Sequence, residues 1–176
     1  MKERVEVLIS SDEIQKRLNE LAEKINKDYA GKEVYMVCIL KGGVVFMVDL
    51  AKKLNMPVTM NFMDVSSYGA GTESSGHIKI LLDLNESIEG KDVLIIEDIV
   101  DTGLTLSHLM PMLHTRKPAS IKICTLLDKP GRRVKGVEVE YTGFTIPNDF
   151  VVGYGLDYDQ RYRNLDYIGI LHFDEE

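Results

Sequence analysis

Cysteine is scarce in this 176-residue chain, which has two, Cys38 and Cys124. Each lies inside an apolar, strand-like run, and that predicts buried free thiols rather than a disulfide. The four histidines, His77, His108, His114 and His172, show neither HExxH spacing nor cysteine pairing, so none is assigned to a zinc site. Positive charge is in deficit as well. The chain has 21 Lys and Arg against 28 Asp and Glu, a net charge of −7. This balance argues against a surface that tracks a nucleic-acid backbone, yet leaves room for a small anion pocket. No apolar run reaches membrane-spanning length, and the polar start Met1, Lys2, Glu3, Arg4 leads into no signal core. A cytoplasmic protein is expected. There is no GxxxxGK[ST] P-loop, no GxGxxG fingerprint, no internal repeat and no low-complexity arm. The length suits one domain, residues 1–176, with a sizeable core.

The most informative stretch is Val93 to Leu106, VLIIEDIVDTGLTL. Val93 to Ile96 is a continuous, β-branched apolar run that suits a parallel strand covered on both faces. Glu97, Asp98 and Asp101 crowd its carboxyl end, and Thr102, Gly103 and Thr105 follow where a helix should begin. In an open α/β sheet, ligands collect at such strand ends, and the helix N-terminus offers free amides to an anion. Three carboxylates would repel a phosphate unless a cation, ribose hydroxyls or a proton-accepting role accounts for them. The stretch therefore predicts a phosphorylated sugar. The plainer alternative is that Asp101 or Thr102 caps the helix and the acids are solvated.

Around this centre the chain reads as alternating strands and helices. Ser10 and Glu13 have capping-box spacing, and Ile14, Leu18, Leu21, Ala22 and Ile25 follow at helical intervals. Val34 to Leu40 reads as a strand, Lys41, Gly42 and Gly43 as a tight turn, and Val44 to Leu54 as a helix. That turn is either a second phosphate cradle or an ordinary turn with a solvated lysine. Val58 to Val65 and Ile78 to Leu82 are strand candidates. Between them Ser66 to Gly76, SSYGAGTESSG, is either a connector or, given Tyr68, a lid closing over phosphates. Gly103 to Thr115 should be a helix, bent if at all by Pro111, and Ile121 to Leu127 a strand. Lys129 then sits at the same sheet edge, as a site residue or merely a solvated one. Gly131 to Lys135 reads as basic and exposed, Val137 to Tyr141 as a strand, Pro147 and Asn148 as a turn, and Tyr167 to Leu171 as the last strand. The acids and arginines of Asp157 to Arg163 suit a metal-bound polyphosphate or surface ion pairs.

Taken together, the chain resembles the bacterial hypoxanthine-guanine branch of the type I phosphoribosyltransferases over nearly its whole length. VLIIEDIVDTG at Val93–Gly103 is the most specific segment. LKGG at Leu40–Gly43, SSYG at Ser66–Gly69, LLDKP at Leu126–Pro130 and FVVGYGLDYDQRYRN at Phe150–Asn164 fall in the family's order. The resemblance implies an open, mainly parallel twisted sheet flanked by helices, with a small hood of N- and C-terminal segments. It implies transfer of a phosphoribosyl group from phosphoribosyl pyrophosphate to a 6-oxopurine, hypoxanthine or guanine. Glu97 and Asp98 would hold the ribose hydroxyls, and Asp101, Thr102, Gly103, Leu104 and Thr105 the 5′-phosphate. Lys41, Gly42 and Arg163 would meet pyrophosphate, with a cis peptide between Leu40 and Lys41. Ser67 and Tyr68 would belong to the closing loop. Lys129 would donate to the purine 6-oxo group, Phe150 would stack on the ring and Val151 would touch it through its backbone. Two magnesium ions would lie near Glu97, Asp98 and Asp157, and Asp101 would be the general base. Leu104 stands where many relatives have lysine or asparagine, so its contribution reduces to its amide. A homodimer or homotetramer is also implied, with no nucleic-acid or membrane partner. Two rivals share the fold type. A regulatory nucleotide- or RNA-binding protein is disfavoured by the acidic balance and by the catalytic-type residues. A receiver-like aspartyl-phosphate protein is disfavoured because Asp98 and Asp101 are three apart and follow a later strand.

Overall fold

The structure, a computed structural model, describes residues 2–67 and 78–174. Of the expected lid, Ser66 and Ser67 belong to strand pairing with Lys79 and Ile78, while Tyr68 and the rest of the segment up to His77 lie outside the described residues. Nine strands and three α-helices are described: β1 Lys2–Ile9, α1 Ser11–Asp28, β2 Val34–Ile39, α2 Val44–Ala51, β3 Val58–Ser67, β4 Ile78–Leu82, β5 Asp92–Val100, α3 Leu104–His114, β6 Ser120–Asp128, β7 Tyr141–Thr145, β8 Val151–Val152 and β9 Ile168–Asp174. Six strands form one sheet in the order β4-β3-β2-β5-β6-β7, all parallel except β4. A smaller antiparallel sheet, β1-β9-β8, joins the two ends of the chain and forms the hood.

Strand side chains alternate, so the central sheet feeds two cores. Val34, Met36 and Cys38 of β2 and Leu94 and Ile96 of β5 pack with α1 and α2. Tyr35, Val37, Ile39, Val93 and Ile95 pack with Leu106, Leu109 and Leu113 of α3. Helix α1 begins with the expected capping box, Ser10 N donating to Glu13 at 2.8 Å while Glu13 N donates back to Ser10 Oγ at 3.3 Å. Its buried Ile14, Leu18, Leu21 and Ile25 each contribute about 1.5–3 kcal/mol by leaving water. Both cysteines are buried free thiols, and burial, with Glu97 and Asp98 adding to it, pushes Cys38 up to about 12.

Several boundaries differ from the sequence pattern. The N-terminal segment, expected to be merely polar, is strand β1, because β9 from the far end of the chain supplies an antiparallel partner in pairs such as Glu6 with Ile170. Helix α2 stops at Ala51 rather than Leu54, and Lys53 and Leu54 close tighter turns onto Leu50 and Ala51. Helix α3 continues through Pro111. The strand expected over Val137–Tyr141 begins only at Tyr141. Val137 and Val139 instead cover the α3-side core, and the Glu140 carboxylate takes the Ile123 amide at 2.8 Å in place of a strand carbonyl. The central strand runs on to Val100, since its pairing with β6 continues to Val100 opposite Asp128. Glu97 and Asp98 are therefore strand residues.

Candidate active site

Strands β2 and β5 are neighbours, yet α2 follows one onto one face of the sheet and α3 follows the other onto the opposite face. This makes a switch point, where the two outgoing loops diverge and open a crevice at the strand carboxyl ends. A cavity of about 330 Å³ at the amino ends of the strands is larger, but its lysines are already matched, Lys32 with Asp92 and Lys91 with Glu86. The crevice holds a cavity of about 210 Å³ lined by Glu97, Asp101, Thr102, Gly103 and Thr105 among others.

Neither Asp101 nor Thr102 caps α3 in the ordinary way. The N-cap is Gly103, with φ 77° and no side-chain cap, and the one local contact is a long 3.4 Å bond from Leu104 N to Thr102 Oγ1. The first-turn amides of Thr105 and Leu106 have no intrahelical acceptor by construction, and both residues line the cavity. Gly103 is needed here twice over. Its φ is left-handed, and a Cβ would come within 2.5 Å of Lys135 O. The loop is braced from behind by the 130–135 segment: Val134 N donates to Thr102 O at 2.9 Å, and Arg133 reaches Asp101 O at 3.2 Å, Val137 O at 3.4 Å and the Asp128 carboxylate. Sequence reading took this segment as exposed and basic. Arg133 is instead a largely buried strut, and its pairing with an acid five residues upstream was the only signal.

Glu97 and Asp98 alternate across the strand. Glu97 is buried and faces the cavity with no hydrogen-bond or ion-pair partner among the described residues; burial, with the neighbouring Asp98 charge, pushes its carboxyl well above the usual range. Asp98 lies against the turn after β2, where a Cβ on Gly42 would overlap its Oδ2. Burial raises Asp98 to about 6 against the pull of the Ile99 amide and Arg163, with Asp157 adding to the rise. Asp101 is tied by Arg132, whose Nε donates to its Oδ1 at 2.6 Å.

The expected pyrophosphate residues come together from opposite ends of the chain. The Leu40–Lys41 peptide is cis. Gly155 presses on the backbone of Gly42, leaving no room for a Cβ. Gln160 Oε1 accepts from Lys41 Nζ at 3.4 Å and from Arg163 at 3.2 Å, and Arg163 also holds Gly155 O at 2.8 Å and Asp157 at 2.9 Å. Gln160 carried no distinguishing signal in the sequence. Lys129 is 7% exposed, which removes the solvated reading. Its Nζ donates to Asp149 O at 2.7 Å, beside Phe150, and burial lowers its pKa. Phe150 is 51% exposed, and Tyr158 packs edge-on with it at 5.8 Å between ring centroids. Val151 is buried in the core and pairs with Ile170 of β9.

No three His, Cys, Asp or Glu side chains among the described residues are spaced to hold a metal ion. The donors nonetheless fit magnesium, a hard cation held by one or two carboxylates together with substrate phosphates rather than by a protein cage. Asp98 and Asp157 raise one crevice wall's negative charge, and Glu97 lacks a partner among the described residues.

A family model for the phosphoribosyl transferase domain matches residues 10–159. A hypoxanthine-guanine phosphoribosyltransferase of Streptococcus thermophilus is 52% identical over 165 residues, covering 94% of this chain and 92% of that protein. A bifunctional TilS/HprT protein of Listeria innocua is 56% identical over 165 residues, and the match spans 26% of its length. The crystal structure of a hypoxanthine phosphoribosyltransferase from Staphylococcus aureus superimposes with a TM-score of 0.92 at 53% identity, covering 95% of this chain and 91% of that one. The chain belongs to the phosphoribosyl transferase domain family, and its fold is that of the type I phosphoribosyltransferases.

Proposed function

We propose that this chain is a purine-salvage enzyme. It transfers the 5-phosphoribosyl group of phosphoribosyl pyrophosphate to N9 of hypoxanthine or guanine, releasing pyrophosphate and forming IMP or GMP. The observation that carries this reading is a convergence at one switch point. The cradle of 101–105, the Lys41–Gly42 turn against Asp98 and Lys129, whose amide donates to Val100 O at 3.0 Å, all stand at the carboxyl end of β5.

The amides and hydroxyls of Asp101 to Thr105, that of Leu104 included, wrap the 5′-phosphate at the start of α3. Glu97 and Asp98 accept from the ribose hydroxyls, which gives the partnerless Glu97 its missing donors. Lys41, the Gly42 amide and Arg163 grip pyrophosphate. Lys129 spends one of its three donors on Asp149 O and offers another to the 6-oxo group, which favours an oxopurine over adenine. Phe150 stacks on the ring, and the Val151 backbone meets its edge. With Oδ1 held by Arg132, Asp101 keeps Oδ2 for the proton leaving purine N7 as N9 bonds to C1 and the C1–oxygen bond to pyrophosphate breaks. Glu97, Asp98 and Asp157 would hold magnesium, two ions in all, which would supply charge neutralisation for the leaving pyrophosphate.

The chain acts as one domain in the cytoplasm, and no helix among the described residues is long and apolar enough to cross a membrane. It works as a homodimer or homotetramer. Supporting this, Met60 and Phe62 on β3 and Val48 on α2 are exposed on the side that carries α1 and α2.

The test is pyrophosphate release from phosphoribosyl pyrophosphate and magnesium, with hypoxanthine, guanine, xanthine, adenine and uracil offered separately. Release with the oxopurines, abolished by a chelator, is expected. Nucleotide binding without release from any base would favour a regulatory protein on the same fold.

A further inference from the structure

The loop that carries Asp157 and Arg163 is held from the far end of the chain. Glu3, on β1, receives Arg161 Nη2 on Oε1 at 2.8 Å and the Tyr162 hydroxyl on Oε2. Arg161 in turn lies over the rings of Tyr158 and Tyr162, 5.8 and 5.6 Å from their centroids. Glu3 is fixed by strand pairing opposite Phe173, and Phe173 packs edge-on against Tyr158 at 5.2 Å. The loop itself is awkward. Asp159, Gln160 and Tyr162 adopt left-handed backbone angles of 49°, 62° and 78°, a conformation that non-glycine residues keep only where surrounding contacts over-determine it. Within the loop, Tyr158 and Arg161 exchange backbone bonds at 3.1 and 3.0 Å, and Gln160 N donates to Asp157 at 2.9 Å. These bonds close the loop on itself but do not orient it toward Lys41. The Glu3 carboxylate, gripping two successive side chains with charge-assisted geometry, ties its outer edge to the hood.

We propose that Glu3 is a positioning residue for the pyrophosphate end of the substrate. By fixing Arg161 and Tyr162 it keeps Asp157, Gln160 and Arg163 turned toward Lys41. This rests on the reading of that loop given above.

The test combines steady-state kinetics with calorimetric binding of magnesium pyrophosphate to the full chain. In Glu3→Ala, KM for phosphoribosyl pyrophosphate and Kd for pyrophosphate should rise about tenfold, the size of effect expected for lost hydrogen bonds between charged groups. Turnover and KM for hypoxanthine should change less than about twofold, because the altered group touches neither the base nor the reacting carbon. Glu3→Gln, which keeps an acceptor, should recover part of the loss. Tyr162→Phe, which removes one hydroxyl, should show a smaller rise in the same two quantities and serves if Glu3→Ala does not fold. Unchanged pyrophosphate affinity in both variants overturns the proposal, as does a parallel decline of turnover and both KM values. A wild-type protein that binds pyrophosphate but turns over no base would refute the proposed activity and leave the Glu3 comparison readable by calorimetry. Wild-type protein that binds no pyrophosphate would overturn both.

Discussion

Replacing Asp98 by asparagine removes a charge that burial in the folded chain disfavours. The side chain is wedged between β5 and the Gly42 turn, and its Oδ1 accepts the Ile99 amide at 2.7 Å, a bond that an asparagine oxygen preserves. The rise from 3.8 to about 6 corresponds to about 3 kcal/mol at about 1.4 kcal/mol per unit. Partial solvent access reduces this to about 2 kcal/mol. Between pH 3.8 and about 6 the folded chain keeps a proton that the unfolded chain releases, so stability falls as pH rises through this window. The penalty is complete above pH 6, and below pH 3.8 both states are protonated. Asp98→Asn should therefore be more stable than the wild type at pH 8, by about 5 °C in melting temperature for a chain of this length. The gap should close as the pH is lowered toward 4. Thermal denaturation of the ligand-free proteins across this range is the assay. Equal or lower stability of the variant at pH 8, or a gap that persists in acid, would refute the argument. The same variant should lose most pyrophosphate-releasing activity, a trade of function for stability.

Three further outcomes follow from the site. Asp101→Asn should lower turnover by about a hundredfold or more while both KM values change little; near-normal turnover would remove Asp101 as the base. Lys129→Gln should raise KM for hypoxanthine about tenfold and narrow the preference for hypoxanthine over adenine, measured by pyrophosphate release, and an unchanged ratio would count against Lys129 as the reader of the 6-oxo group. Gly103→Ala, forced to a left-handed φ of 77° and into Lys135 O at 2.5 Å, should destabilise the protein by about 1–3 kcal/mol. Unchanged denaturation would mean that the loop and the segment behind it can separate.

What the sequence determined by itself was local. The capping box at Ser10, the apolar run of β5 and the helix that follows Gly103 are each written in residues within a few positions of one another, and the structure carries each of them. Tertiary structure decided everything that depends on strand order and register. Strand β1 exists because β9 lies beside it, and the strand expected from Val137 starts at Tyr141 because Glu140 replaces one rung of the ladder with its side chain. Glu97 lost its solvent and gained no partner among the described residues, Lys129 was buried against a carbonyl 20 residues away, and Gln160 came to bridge Lys41 and Arg163 across more than half the chain. Arg133 became a brace for the cradle rather than a surface charge. The physical reason is that hydrogen-bond caps and side-chain periodicity are short-range and visible in any window of sequence. Burial, pKa and convergence at a switch point instead arise when separate strands stack side by side.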